Sequence, residues 1–355
     1  MQKRFLMDTL RNLHRKFLPD NPRKSISYSL FCRLRPYWVV HPTLSDRDTC
    51  LCKLHENLGF VVQKLFSMKL CKTPELETLM AEICCDPLNK ECMYNNCDNC
   101  KDKDFPIVGE FEASMQVEYM QWVMEDTKGQ TKDNTETTYK KTVKKKIDIR
   151  LDDLIYLFKD MLVKFKRHTF NIRQQFRYCR QLKKNLSENE SIVHVDFSEN
   201  YTCKYSSNIQ SAYYGASNEQ AILHTGILYA GPDAHPLGFS TITSSRMKGP
   251  PAIWEHLKPV LTFMKNLFPA IKVVHFLSDG PCSQYRQKGN FYLLTTLLHK
   301  MGFHAGSWNF FEASHGKGAP DGVGGALKRT ADRLVSLGRD ICSATDLFEA
   351  LVERV

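Results

Sequence analysis

No apolar run in these 355 residues approaches the ~20 needed to span a bilayer. The opening MQKRFLMDTLRNLHRKFL mixes charge into its apolar pattern throughout. We therefore expect neither a membrane helix nor a secretory leader. The phosphate-loop order GxxxxGK(S/T) is absent, which disfavours ATP binding. An even spread of cysteines is also missing. Nine of the 13 lie between Cys32 and Cys100, which argues against a secreted disulfide framework and for metal binding in a reducing compartment. The second half has no charge surplus either: residues 186–355 carry 15 Lys+Arg against 15 Asp+Glu.

The net charge of +10 is therefore localised, and 128–185 alone holds 17 basic against 6 acidic residues. A neutral half joined to a basic connector suggests a polyanionic partner, with a solvated charged helix as the bland alternative. The run KKTVKKK at 140–146 is a candidate nuclear import signal, so a nuclear location is expected.

Along the chain, 1–48 reads as helical with proline breaks, compatible with a helix-turn-helix whose second helix is capped at Ser25 or Ser27. Residues 49–105 hold the cysteine cluster, and 106–150 reads as a polar basic linker without periodicity. A helical period resumes over 151–186 as a basic amphipathic helix, with Leu151, Leu154, Phe158, Met161, Leu162 and Phe165 on one stripe. Over 187–340 the expected order is three strands, then helix, strand, helix, strand, helix, and 341–355 is left as a tail. That series is the element order of an RNase H-like fold: a mixed five-stranded α/β sheet with flanking helices, preceded by a mostly helical, Cys-rich region.

The cysteine region offers TCLCKLHEN and CCDPLNKECMYNNCDNC. Cys97-x2-Cys100 brings two thiolates to one tetrahedral metal, and Cys52-x2-His55 supplies a similar pair, so structural zinc is expected. Cys50, Cys52, His55, Cys85, Cys92, Cys97 and Cys100 exceed the four ligands of one ion. Two sites, or one site with bystanders, both remain open.

The strongest functional clue lies in IVHVDFSENY at 192–201. Asp196 falls inside an apolar, β-branched run on the strand face shared by His194 and Ser198. A carboxylate there costs several kcal/mol unless a partner or metal compensates it. A second strand, KVVHFLSDG at 272–280, ends on Asp279. Two acids on neighbouring strand ends suit divalent cations for phosphoryl transfer, Mg²⁺ or Mn²⁺. The plain alternative for Asp279 is a turn residue.

HVDFSENY, FLSDGPCSQYRQKGNF and SHGKGAPDGVGGALKRTAD, in that order, resemble the catalytic core of DDE/D transposases and retroviral-type integrases over about 186–340. The Cys-bearing N-terminal segment is similar in kind to the zinc-stabilised DNA-binding parts of eukaryotic transposases and their domesticated derivatives. The resemblance implies that Asp196 and Asp279 face each other on adjacent parallel strands and ligate two Mg²⁺ ions. A third acid must then come from the last strand or helix. Asp321, first in the final helix, is preferred over Glu312, at the end of the last strand, with Asp332 as an outsider. The alternative for Asp321 is a helix N-cap.

The glycines around Lys317 would let backbone approach a phosphate, and Lys328 and Arg329 stand one turn later to hold a nucleic-acid backbone. With Lys144, Lys145, Lys146, Arg173, Arg177 and Arg180 they make up the expected DNA-binding set. Two functions follow. One is a transposase-like, metal-dependent DNA cleavage and strand-transfer core. The other is a domesticated or decayed derivative that binds DNA or chromatin partners without cutting. DNA is the expected partner, a second copy of the chain a further one, and a membrane is not expected.

Overall fold

The computed structural model describes residues 4–5, 10–22, 25–36, 38–40, 52–130, 136–207, 209, 218–232 and 235–354. Two compact units divide the chain at Leu51 and Cys52. In the first, a short parallel pair, β1 (Arg4–Phe5) and β2 (Val39–Val40), accompanies α1 (Leu10–Asp20) and α2 (Tyr28–Arg33). Ser27 caps α2 by accepting the Leu30 N–H at 3.3 Å, and the rings of His14 and Phe17 pack tilted against Phe31. No described helix is long and apolar enough to cross a membrane.

The second unit begins with α3 (Lys53–Ser67), α4 (Leu76–Glu82) and the single turn α5 (Lys90–Met93). Next comes an antiparallel ribbon of β3 (Gln116–Gln130) and β4 (Glu136–Arg150), with Trp122 opposite Lys144. The polar linker expected over 106–150 is thus mostly a long hairpin. Its hydrophobic alternation is too sparse to read, because only its base is covered: Val117 and Tyr119 are buried, while β4 stays almost wholly in solvent. The ladder and cross-strand pairs hold the rest, including Lys145–Glu125 and Lys146–Glu118.

Helix α6 (Leu151–Lys184) runs 34 residues, with Asp152 and Asp153 in its first turn and Lys183 and Lys184 in its last, complementing its dipole. Its N-terminal stripe of Leu151, Leu154, Phe158, Leu162 and Phe165 closes a core with α3, α4 and α5. Further along, Cys179 joins Leu186 and Ile192 in a separate apolar cluster under the sheet. One helix therefore serves both halves of the unit.

The sheet holds β5 (Glu190–Phe197), β6 (Tyr201–Thr202), β7 (Gln220–Ala230), β8 (Leu237–Thr243), β9 (Val273–Ser278) and β10 (Ala305–Phe310). The two-residue β6, pairing with the start of β7, makes six strands where five were expected. The main order is β8–β7–β5–β9–β10: β5, β9 and β10 are parallel, whereas β7 is antiparallel to both its neighbours. Residues of alternate parity face opposite sides. Val193, Val195, Val274 and Phe276 meet α7 (Pro250–Leu267) and α8 (Lys288–Lys300) through Trp254, Leu257 and Leu298. On the other side α9 (Ala319–Ser336) packs over β5 and β7. The residues set aside as a tail, 341–355, instead form α10 (Ala344–Val352), whose Leu347, Ala350 and Leu351 are buried against Leu223 and Leu334. Ser343 and Asp346 close its N-terminus reciprocally, each side chain accepting the other's backbone N–H.

Candidate functional site

Strands β5 and β9 run side by side with His194 opposite Leu277, so the parallel register carries Asp196 and Asp279 to the same sheet edge. Both carboxyls are half-buried there. Burial pushes Asp196 up to about 7, with the neighbouring charges of Asp279 and then Asp321 adding to the rise. Burial pushes Asp279 up to about 6, again with Asp321 contributing. Asp279 Oδ1 is buried without a hydrogen-bond partner among the described residues. Three acids thus share one region of negative potential, with an oxygen that no described residue satisfies.

The glycine loop before α9 closes over this edge. A Cβ on Gly316 would lie 2.6 Å from Asp279 Cβ, one on Gly318 2.8 Å from His194 Cε1, and one on Gly324 2.5 Å from Ser198 Oγ. These glycines are needed for backbone approach to the acids and their flanking side chains. Asp321 also caps α9, its Oδ2 accepting the Gly318 N–H at 2.8 Å. Capping and clustering are therefore compatible for this residue. Beneath the acids, fully buried Tyr285 pairs its hydroxyl with His224 Nε2 at 3.0 Å.

The other two acids weighed for the cluster sit elsewhere. Glu312 faces helix α6: its Oε1 lies 3.2 Å from His168 Nδ1, and its backbone N–H donates to Gln175 Oε1 at 2.7 Å. Asp332 pairs with Lys204 at 2.6 Å.

The basic set is dispersed and partly engaged. Lys144 Nζ stands 4.2 Å from the Phe60 ring, Lys145 pairs with Glu125, Lys146 with Glu118, and Arg173 with Glu77 at 2.9 Å. Lys328 reaches the Glu199 carbonyl at 3.3 Å. Arg177, Arg180, Lys317 and Arg329 are exposed. One cation near the acids belongs to no sequence motif: the ammonium of Lys248 lowers the Asp196 carboxyl and donates to Asn200 at 3.0 Å. Its only signal was a basic loop, SSRMKGPP, between strand and helix.

Eight candidate ligands fall into two groups, each with ligand atoms within 4.8 Å of one another: Cys85, Cys92, Cys97 and Cys100, and Cys52, His55, His168 and His315. Cys50 lies outside the described residues. The four-cysteine group could hold a metal such as zinc. It is built on α5 and on the knuckle in which the Cys100 N–H donates to the Cys97 carbonyl at 3.1 Å. Burial pushes the Cys92 thiol up to about 12. Cys100 is lowered despite its burial, through hydrogen bonds from Cys85, Cys97 and Cys92. In the second group burial raises the Cys52 thiol, but hydrogen bonds with His168, His315 and His55 outweigh it and bring it down to about 3. His168 and His315 were not among the expected ligands. In the sequence one belongs to the polar side of a helix and the other to a glycine loop.

No curated protein matches the sequence. Among solved structures, a Mos1 transposase paired-end complex with left transposon end is similar at a TM-score of 0.28 and 10% identity. The likeness covers 52% of this chain and 52% of that one, so the chain spans about half the length of that protein. A family model described as Domain of unknown function (DUF8699) matches residues 1–43. A second, Domain of unknown function (DUF8701), matches residues 175–355, just over half of the chain, and the protein belongs to that family.

Proposed function

We propose that residues 187–340 form an RNase H-like core that binds divalent cations between Asp196, Asp279 and Asp321 and performs phosphoryl transfer on DNA, as a transposase-like enzyme. The observation that carries this reading is the convergence of the three acids at one sheet edge, with Asp279 Oδ1 buried and without a partner among the described residues. Such a donor set fits Mg²⁺ or Mn²⁺, hard cations that take carboxylate oxygens. Bound there, the cations would activate an attacking oxygen and stabilise the leaving one. The strand order supports the fold assignment, because the first and fourth strands of the core, β5 and β9, are adjacent and parallel. The third acid is then Asp321, since Glu312 is turned towards His168. Lys248, whose charge lowers the Asp196 carboxyl, is a cation beside the acids suited to a phosphate backbone. Structural zinc in the four-cysteine group and nuclear residence complete the proposal.

The test is Mg²⁺- or Mn²⁺-dependent cleavage or strand transfer on DNA, with Asp196→Asn as the comparison. Metal-dependent activity in the wild type that is lost in Asp196→Asn supports it. DNA binding without such activity, across a range of substrates, supports the second reading: a derivative that binds without cutting. One observation favours that alternative, namely that one oxygen of Asp321 is already engaged as a helix cap.

A further inference from the structure

The Cys52–His55–His168–His315 group ties together three stretches far apart in sequence. Cys52 and His55 open α3, His168 sits midway along α6, and His315 lies in the glycine loop that closes over Asp279. Cys52 Sγ is 3.3 Å from His168 Nε2, which is 3.2 Å from His315 Nε2. On the far side of the His168 ring, Nδ1 meets the Glu312 carboxylate at 3.2 Å, and a carboxylate can only accept. In the neutral ring, the form that ligates a metal, the proton therefore belongs on Nδ1. The Nε2 lone pair is left pointing at a sulfur and a second imidazole nitrogen. His55 Nδ1 is buried and has no hydrogen-bond partner among the described residues. Lone pairs converging in this way call for a cation, and a carboxylate behind a ligating histidine is the usual outer support of such a site.

We propose that these four side chains bind a second zinc ion, with Glu312 orienting His168, and that this ion anchors the glycine loop to the helical half of the unit. The donor set, one thiolate and three imidazoles, is one that zinc accepts in tetrahedral sites. Consequences for the neighbouring carboxylates follow from the chain itself: His315 precedes Gly316, whose backbone packs on Asp279, and Gly318, which Asp321 caps. The ion would fix the loop from one side while the caps and glycine contacts hold it from the other. Glu312 becomes a positioning residue for the metal rather than a member of the acid cluster. Cys52, His168 and Glu312 also line up as a nucleophile, base and orienting acid would. Against that, His55 and His315 crowd the sulfur, which a nucleophile needs open to substrate.

Zinc content is measured without nucleic acid and so independently of any catalysis at the acid cluster. The full chain, expressed and purified in its reduced form, should carry two zinc ions by elemental analysis. His315→Gln should retain one, and so should Cys97→Ser combined with Cys100→Ser. Cobalt substitution of the wild type gives an independent reading if a variant misfolds. It should yield two classes of site, one with four thiolate-to-cobalt ligations and one with a single thiolate. Cys52 should resist alkylation until the metal is removed, whereas exposed Cys282 should react at once. In His315→Gln, hydrogen exchange should rise several-fold over 312–322 while the four-cysteine segment keeps its protection. A wild type with one zinc ion, all of it in the four-cysteine group, would overturn the proposal. So would Cys52 alkylating in the metal-loaded protein as fast as Cys282, the behaviour of a nucleophile.

Discussion

Replacing Asp196 with Asn should stabilise the protein in buffer free of Mg²⁺ and Mn²⁺, and by an amount that depends on pH. The carboxyl is raised from its ordinary 3.8 to about 7 in the folded state, first by burial and then by Asp279 and Asp321. A folded-state value above the unfolded one means that the native protein holds the proton more tightly. Stability is then greatest at low pH, falls as pH rises from about 4, and levels off above about 7. At ~1.4 kcal/mol per unit, the full penalty at about pH 8 is about 4 kcal/mol, an upper bound because the carboxyl is coupled to two others. Asn carries no charge and escapes it. Its advantage over the wild type should be a few kcal/mol at about pH 8 and should shrink by about 2 kcal/mol at about pH 5.5, where the native wild type is protonated. Denaturant titrations at the two pH values, in zinc-containing buffer, measure this. Millimolar Mg²⁺ should then stabilise the wild type through its carboxylates, and Asp196→Asn much less. An Asn variant less stable than the wild type at pH 8, or an advantage that does not change with pH, would refute the argument that these acids repel one another.

Gly316→Ala should push the loop away from Asp279, where its Cβ would sit 2.6 Å from another carbon, and should weaken the thermal stabilisation that Mg²⁺ gives while leaving the far-ultraviolet spectrum unchanged. Phe276→Ala, which empties a fully buried site stacked on Trp308 at 4.6 Å, should cost about 3–5 kcal/mol in chemical denaturation. Reversing the charge of Arg177 and Arg180 should weaken DNA binding for all sequences and lower the slope of log affinity against log salt by ~0.9 for each phosphate that an arginine no longer neutralises. Neutralising Lys145 and Lys146, each already paired with a glutamate, should change that slope less.

The elements of the sheet were legible because their signals are local. A strand of β-branched residues has a period of two, and a helix over 151–184 shows its stripe every three or four residues, so backbone geometry alone marks them. Asp196 stood out for the same reason, as a charge where the local pattern buries apolar side chains. The Cys97-x2-Cys100 knuckle also closes within one turn of chain. Where the period is masked, local reading fails. The ribbon of β3 and β4 has solvent on nearly all sides, so its strands carry lysine and threonine instead of alternating apolar residues.

Which groups meet was decided by tertiary structure. His168 lies 116 residues from Cys52 and 147 from His315, and nothing local distinguishes a ligand from a polar helix position at such separations. In sequence Asp321, at the start of the final helix, is preferred over Glu312, at the end of the last strand, but the sequence does not show where either side chain points. Only the path of the loop turns Glu312 to α6 and leaves Asp321 beside the two strand-end carboxylates. The lysines of 144–146 read as a free basic run until the hairpin set two glutamates and the Trp122 ring against them. Sequence by itself determined the elements and the unusual placement of one carboxylate, because these depend on neighbours along the chain. The grouping of the candidate ligands, the turning of Glu312 away from the strand-end acids and the pairing of the basic residues depend on contacts that only folding makes.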